Sequence, residues 1–171
     1  WTFQWQEFDW DNNNRQSGKP KVILELQKLL EFELSAFDQY FIHARMYADW
    51  DLNQLAERIT HEAEEERQHA QLLIDRILFL EGFPNLQDLG KLKIGETVEE
   101  MLTADLAAEH NAHKDLKAGI EYSESVQDYV SRDLFREIMS DEEEHIDWLE
   151  TQLGLIGQVG MENYLASQME T

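Results

Sequence analysis

From Pro20 onward, apolar residues return every three or four positions, the spacing of one helix face. Leu26, Leu30, Phe37, Tyr40, Ala44 and Tyr47 form the first stripe, with position 33 taken by a polar residue. Asp49-Trp50-Asp51-Leu52-Asn53 breaks it. Leu55, Ile59, Leu73 and Leu80 mark a second helix ending at Gly82. The stretch FPNLQDLGKLKIG (83–95), with Pro84, Gly90 and Gly95, predicts a loop. A third helix from about Glu96 carries Val98, Leu102, Leu106, Leu116 and Ile120, and YSES (122–125) marks a turn. The fourth carries Phe135, Ile138, Leu149, Leu153 and Ile156; Gly157 and Gly160 are expected to stop it, and MENYLASQ suggests a short fifth helix. No β alternation competes. The predicted fold is all-α, a four-helix bundle with a small appendage.

Loop lengths supply the topology. Short breaks near 50 and 124 make antiparallel hairpins of helices one and two and of helices three and four. Helix two, at ~30 residues, is ~45 Å long. The loop 83–95 can extend ~43 Å, enough to run back along the bundle and leave helices two and three parallel. That is a single long crossover.

Residues 1–20 read differently. WTFQWQEFDW carries aromatics at 1, 3, 5, 8 and 10, with no basic start and no apolar run, so it is not a signal peptide. DNNNRQSGKP follows as a polar linker ending at Pro20, a good first residue for a helix. No Met opens the sequence, which points to a processed chain or to numbering that starts partway in. The division is thus an aromatic-rich arm and linker at 1–20 and a bundle at 21–171. Five aromatics in ten residues are costly to leave in water, so the arm is expected to dock on a neighbouring subunit or a separate partner, a disordered leader being the alternative.

Charge narrows the function. The 171 residues hold 36 Asp and Glu against 14 Lys and Arg, a formal net charge of −22, while 42% are hydrophobic. The charge therefore sits on a folding chain. Clustered Lys and Arg for phosphate contacts are absent, which excludes nucleic acid as the main partner. An anionic membrane would repel the chain, and no apolar run approaches the ~18 residues of a spanning helix. With Cys at 0, thiolate nucleophiles, zinc fingers and iron–sulfur clusters drop out. Any metal must be held by Asp, Glu, His or backbone oxygen.

Six ionisable residues interrupt the stripes: Glu33 on helix one, Glu66 and His69 on helix two, Glu109 on helix three, Glu142 and His145 on helix four. Residues three apart share a helix face, so each Glu-x-x-His pair can aim two ligands at one place. Glu33 and Glu66 are 33 residues apart, as are Glu109 and Glu142, and both midpoints fall on the predicted turns. Folding each hairpin brings its two Glu to one depth. Four buried carboxylates would repel one another and lose hydration, whereas two divalent cations balance four negative charges. Carboxylates with two imidazoles suit iron or manganese, with zinc and cobalt as competitors. The run Glu62, Glu64, Glu65, Glu66 reads as a wet acidic face with only Glu66 on the stripe, so Glu62→Ala is expected to matter little. His61 and Glu65, four apart, read as a solvated face; His43, His110 and His113 read as surface or packing residues.

RILFLEGFPNLQDLGKLKIGETVEEML (76–102), QYFIHARM (39–46), DYVSRD (128–133) and DEEEHIDWLE (141–150) closely resemble bacterioferritin, from about Lys21 to Gln168. The resemblance implies a ferritin-like bundle and a hollow cytoplasmic cage of twenty-four subunits that oxidises Fe(II) with O₂ or H₂O₂ and stores ferric mineral. It implies a di-iron centre bridged by Glu66 and Glu142, with Glu33 and Glu109 terminal and His69 and His145 each on one iron. Tyr40 matches the aromatic beside that centre. His61 and Glu65 match an inner-surface iron site, with Glu in place of the usual Asp. One position departs. The haem-ligating Met of the family is Arg67 here, which has no lone pair for iron, so haem is not expected in a cage of this subunit alone. A mixed cage with a haem-binding subunit would supply the thioether from its other member. Two other readings stand beside the ferroxidase: a rubrerythrin-like di-iron peroxidase, disfavoured by the missing Cys-bound module, and a non-catalytic cage or scaffold subunit working through its arm.

Overall fold

The computed structural model describes residues 19–169; of the arm and linker expected at 1–20, residues 1–18 lie outside the described residues, and Lys19 and Pro20 already belong to the first helix. Five helices follow in order: α1 (Lys19–Asp49), α2 (Asn53–Phe79), α3 (Val98–Ser125), α4 (Tyr129–Val159) and α5 (Met161–Gln168). Among the described residues there is no strand. The helix count and the crossover match expectation, and the ends shift by a few residues. YSES belongs to α3, and the turn falls at 126–128. Gly157 does not stop α4, because a lone Gly costs a helix only about 1 kcal/mol. The stop comes at Gly160, whose φ of 80° is the conformation an L side chain avoids.

The two hairpin turns are alike. Asp51 (φ 57°) and Gln127 (φ 60°) take the left-handed conformation at equivalent places, each 76 residues from its counterpart, as are Glu33 and Glu109, Glu66 and Glu142, and His69 and His145. Local chemistry fixes the helix starts. Thr97 caps α3 by accepting a hydrogen bond from the Glu100 N–H, with Glu99 and Glu100 favourably placed in the first turn. Asp128 caps α4 through the Ser131 N–H and also accepts from Arg76 of α2 at 2.7 Å, tying the two helices.

The crossover is pinned along α1 in sequence order. Asn85 exchanges two hydrogen bonds with Gln27, the Gly90 N–H donates to Ser35 Oγ, and the Lys93 N–H donates to Gln39 Oε1. The strap thus travels down the bundle from the level of residue 27 to that of residue 39, which leaves α2 and α3 parallel.

The core is split. One apolar cluster contains Tyr40, Tyr47, Leu55, Ile59, Met101, Leu102 and Leu149; the other contains Leu26, Leu30, Leu73, Ile77, Leu116, Phe135 and Ile138. In the second, Gly119 lets the Phe135 ring lie against the α3 backbone, where an added Cβ would sit 2.8 Å from Cζ. Between the clusters lies a layer that is not apolar.

Candidate metal centre

All six residues singled out by spacing meet in that middle layer, with relative exposures between 0% (Glu33 and Glu109) and 5% (His69). Each α-helix of the bundle supplies its share by register: one Glu from α1, one from α3, and a Glu-x-x-His pair from each of α2 and α4. Two groups of ligand atoms form. Glu33, Glu66, His69 and Glu142 bring one atom each within 4.8 Å of one another, and so do Glu66, Glu109, Glu142 and His145. Glu66 and Glu142 belong to both. The side chains therefore outline two adjoining positions with two shared carboxylates.

Unpaired atoms test whether the donor set fits metal ions. Both carboxylate oxygens of Glu33 and of Glu142, one each of Glu66 and Glu109, and His69 Nδ1 and His145 Nε2 are buried without a hydrogen-bond partner. Orphaned buried polar atoms are rare because each costs about 1–3 kcal/mol. Eight in one layer mark a site built to be neutralised by cations, and hard carboxylate oxygens with two imidazoles fit divalent first-row metals.

Second-row contacts orient the imidazoles. His69 Nε2 lies 3.0 Å from Asp141 Oδ2, which leaves Nδ1 facing Glu33 (3.4 Å), Glu142 (3.6 Å) and Glu66 (3.9 Å). That arrangement fixes a ring the way metal-ligating histidines are commonly fixed. His145 Nδ1 lies 3.0 Å from Glu109 Oε1 and 3.7 Å from Glu62 Oε2. Tyr40 donates from its hydroxyl to Glu109 Oε1, and its ring meets His145 edge-on at 5.2 Å.

Burial and crowding set the protonation. Desolvation pushes Glu33 up to about 7 and, with the neighbouring Glu33 and Glu109 charges, lifts Glu66 and Glu142 well above the carboxylate range. Burial acts on Glu109 too, but the adjacent Glu142 carboxyl, with His145 and Tyr40, outweighs it and holds that carboxyl low. Burial opposes charge on His145, and Glu109 overcomes it to bring the imidazole up to about 9. His69 is likewise raised against its burial by Glu142, Glu33 and Glu66. Without cations the layer holds protons, so metal uptake must release them.

One sequence reading needs correction. Glu62 is not on a wet face: it is 2% exposed, paired with Arg58, and turned toward His145. The signal was available, since 62 lies three after Ile59 and four before Glu66. His43, three after Tyr40, is also buried, against Asp105, which accepts from Gln39 at 2.7 Å. Sequence reading gave Asp105, Gln39 and Asp141 no role. His61 and Glu65 lie together on the exposed side of α2, 3.7 Å apart. Arg67 is exposed and grips the Glu64 carboxylate with Nε and Nη2.

A four-helix bundle that buries a Glu from each of two helices and a Glu-x-x-His pair from each of the others defines the carboxylate-bridged two-metal class, ferritin-like in its single crossover. A family model, the ferritin-like domain, matches residues 23–159. The chain is 53% identical over 153 residues to a bacterial ferritin of Synechocystis sp., covering 89% of this chain and 98% of that protein. It is 51% identical to a bacterial ferritin of Pseudomonas aeruginosa (89% and 99%) and 48% identical to a bacterioferritin of Brucella melitensis (86% and 91%). The chain belongs to the ferritin family, in its bacterioferritin branch.

Proposed function

We propose that this protein is an iron-storage ferroxidase, working as a subunit of a hollow cage. The observation that carries the reading is the pair of buried four-ligand groups with Glu66 and Glu142 in common. Two Fe(II) ions are the substrate. Glu33 and His69 hold one, Glu109 and His145 the other, and Glu66 and Glu142 bridge them. Each Fe(II) gives up one electron, and the pair reduces O₂ with two protons to H₂O₂, or H₂O₂ with two protons to water.

The chain's own groups do the positioning. Asp141 holds the His69 ring with Nδ1 inward, and Tyr40 steadies Glu109. Displaced carboxyl and imidazolium protons leave as Fe(II) enters. His61 and Glu65 offer a landing place for iron on the cavity side, and the charge of −22 draws cations toward the cage. Membership of the family supports assembly into a cage of twenty-four subunits and a cytoplasmic location. Among the described residues no helix is long and apolar enough to cross a membrane.

The family's haem does not fit this chain. Arg67 stands at the ligating position, keeps its charge, and is committed to Glu64. A cage of this subunit alone therefore holds no thioether-ligated haem, and a mixed cage requires a Met from its other member. Anaerobic loading with two Fe(II) per subunit, followed by stopped-flow mixing with O₂ or H₂O₂, tests the main reading. Rapid oxidation and mineral-filled particles are the expected result. An oxidation rate equal to that of protein-free buffer would overturn it and favour the scaffold reading.

A further inference from the structure

A pocket of about 430 Å³ lies on the face opposite in character to the rest of this acidic chain, between α1, the strap and α3. Lys28, Lys91 and Lys93 line it, three of the seven lysines in the sequence. Lys28 is 3.6 Å from Glu25, while Lys91 and Lys93 form no ion pair with any described residue. Glu31 and Asp115 are also on the rim, which leaves a local excess of one positive charge on a chain of net −22. The floor is apolar, made by Phe32, Ala36 and Ala108. The wall is fixed, because the strap is hydrogen-bonded to Ser35 and Gln39 on either side of Lys91.

The proposed ferroxidase makes no use of this pocket, nor of the aromatic arm. The arm has the complementary chemistry: Trp1, Phe3, Trp5, Phe8 and Trp10 alternate with Glu7, Asp9 and Asp11, and positions 1–11 contain no Lys or Arg. The linker is long enough for the arm to reach the pocket of its own chain. From Lys19 to Phe32 or Ser35 along α1 is about 20–24 Å. The eight linker residues 11–18 extend to about 26 Å. We propose that residues 5–11 fold back along α1 of their own chain and dock in this pocket, aromatics on the Phe32–Ala36–Ala108 floor and carboxylates on Lys28, Lys91 and Lys93. The exposed Phe79 and Phe83, near the start of α1, also offer apolar surface, but the cations beside them are engaged, Lys19 with Glu81 and Arg76 with Asp128.

Zero-length carbodiimide coupling on the assembled full chain, read by peptide mass spectrometry, tests this. Glu7, Asp9 or Asp11 should couple to Lys28, Lys91 or Lys93. Cages reassembled from equal parts ¹⁴N- and ¹⁵N-labelled chains should give coupled peptides of a single isotope. Coupled peptides of mixed isotope would overturn docking on the same chain and assign the arm to a neighbour. Coupling confined to Lys19 or Lys21, at the Phe79–Phe83 end, or absent altogether, would overturn the pocket. The double variant Lys91→Glu, Lys93→Glu should reduce coupling to background and speed proteolytic removal of residues 1–18. Phe8→Ser with Trp10→Ser, which leaves the bundle sequence unchanged, should have the same two effects; unchanged coupling and proteolysis in this variant would sink the proposal.

Discussion

The two hairpins carry the same candidate ligands at the same spacing but surround them differently. Around Glu33 and His69, both Glu33 oxygens are without a hydrogen-bond partner, and the imidazole is steadied from outside by a half-exposed Asp141. Around Glu109 and His145, Tyr40 and the imidazole both engage Glu109, and Glu62 with Arg58 closes the layer behind. The consequence is electrostatic. Glu33 is pushed up to about 7, while Glu109 is held below the usual carboxylate range. Near neutral pH Glu109 keeps its charge without metal and only its imidazole partner must give up a proton, whereas on the other side Glu33 as well as His69 holds a proton that metal must displace. Repeated ligand spacing makes two positions; their neighbours make the positions unequal.

The harshest way to break the comparison is to remove what both halves share. Glu66→Ala or Glu142→Ala should abolish rapid Fe(II) oxidation while cages still form, by stopped-flow absorbance and particle size. Unchanged kinetics in both would sink the two-metal site.

Changes on one side alone should do less. Tyr40→Phe and Glu62→Ala both touch only the Glu109–His145 side and should each slow oxidation about tenfold, the usual scale for an outer-shell partner. Glu64→Ala, on the exposed face, should leave the rate unchanged. Equal rates for Glu62→Ala and Glu64→Ala would mean that Glu62's burial has no functional weight.

Proton linkage sharpens the comparison further. Folding raises Glu33 from 4.5 to about 7 and His145 from 6.5 to about 9, so the folded metal-free protein binds more protons than the unfolded chain across that span. Its stability should therefore fall as pH rises from about 4.5 to 9. The thermal midpoint of the metal-free cage measured from pH 5 to 9 checks the sign, and divalent metal should flatten the slope. A midpoint rising over that range would contradict the assigned protonation.

The smallest expected effect on either half comes from Arg67. Arg67→Met removes only an exposed ion pair with Glu64, so oxidation should be unchanged. Cages of the variant grown with haem should gain a Soret band that the unmodified protein lacks. A thioether-ligated haem in the unmodified protein would show that Arg67 is not at the ligand position.

Much of this was legible in one dimension. Four stripes broken by Glu33, Glu66, His69, Glu109, Glu142 and His145, with turns midway between paired Glu, require only helical geometry to bring six side chains to one depth. Glu62 shows the limit: it sits at stripe spacing from Ile59 and Glu66, yet within an acidic run it reads as solvated. Helix period says which residues share a face; it does not say how far round the buried face extends when Arg58 and His145 are there to satisfy a carboxylate.

By itself, then, the sequence determined the helices, the crossover and the candidate ligand set, because these depend on local periodicity and chain length. The tertiary structure decided the inequality of the two candidate metal positions, the Asp105–His43–Gln39 contacts and the lysine pocket under the strap. These arise where residues 62 and 145 or 105 and 43 meet across helices, and where the strap brings residue 91 to the pocket that residue 28 of α1 also lines. Burial and charge at such contacts are properties of neighbours in space, and no spacing along the chain encodes them.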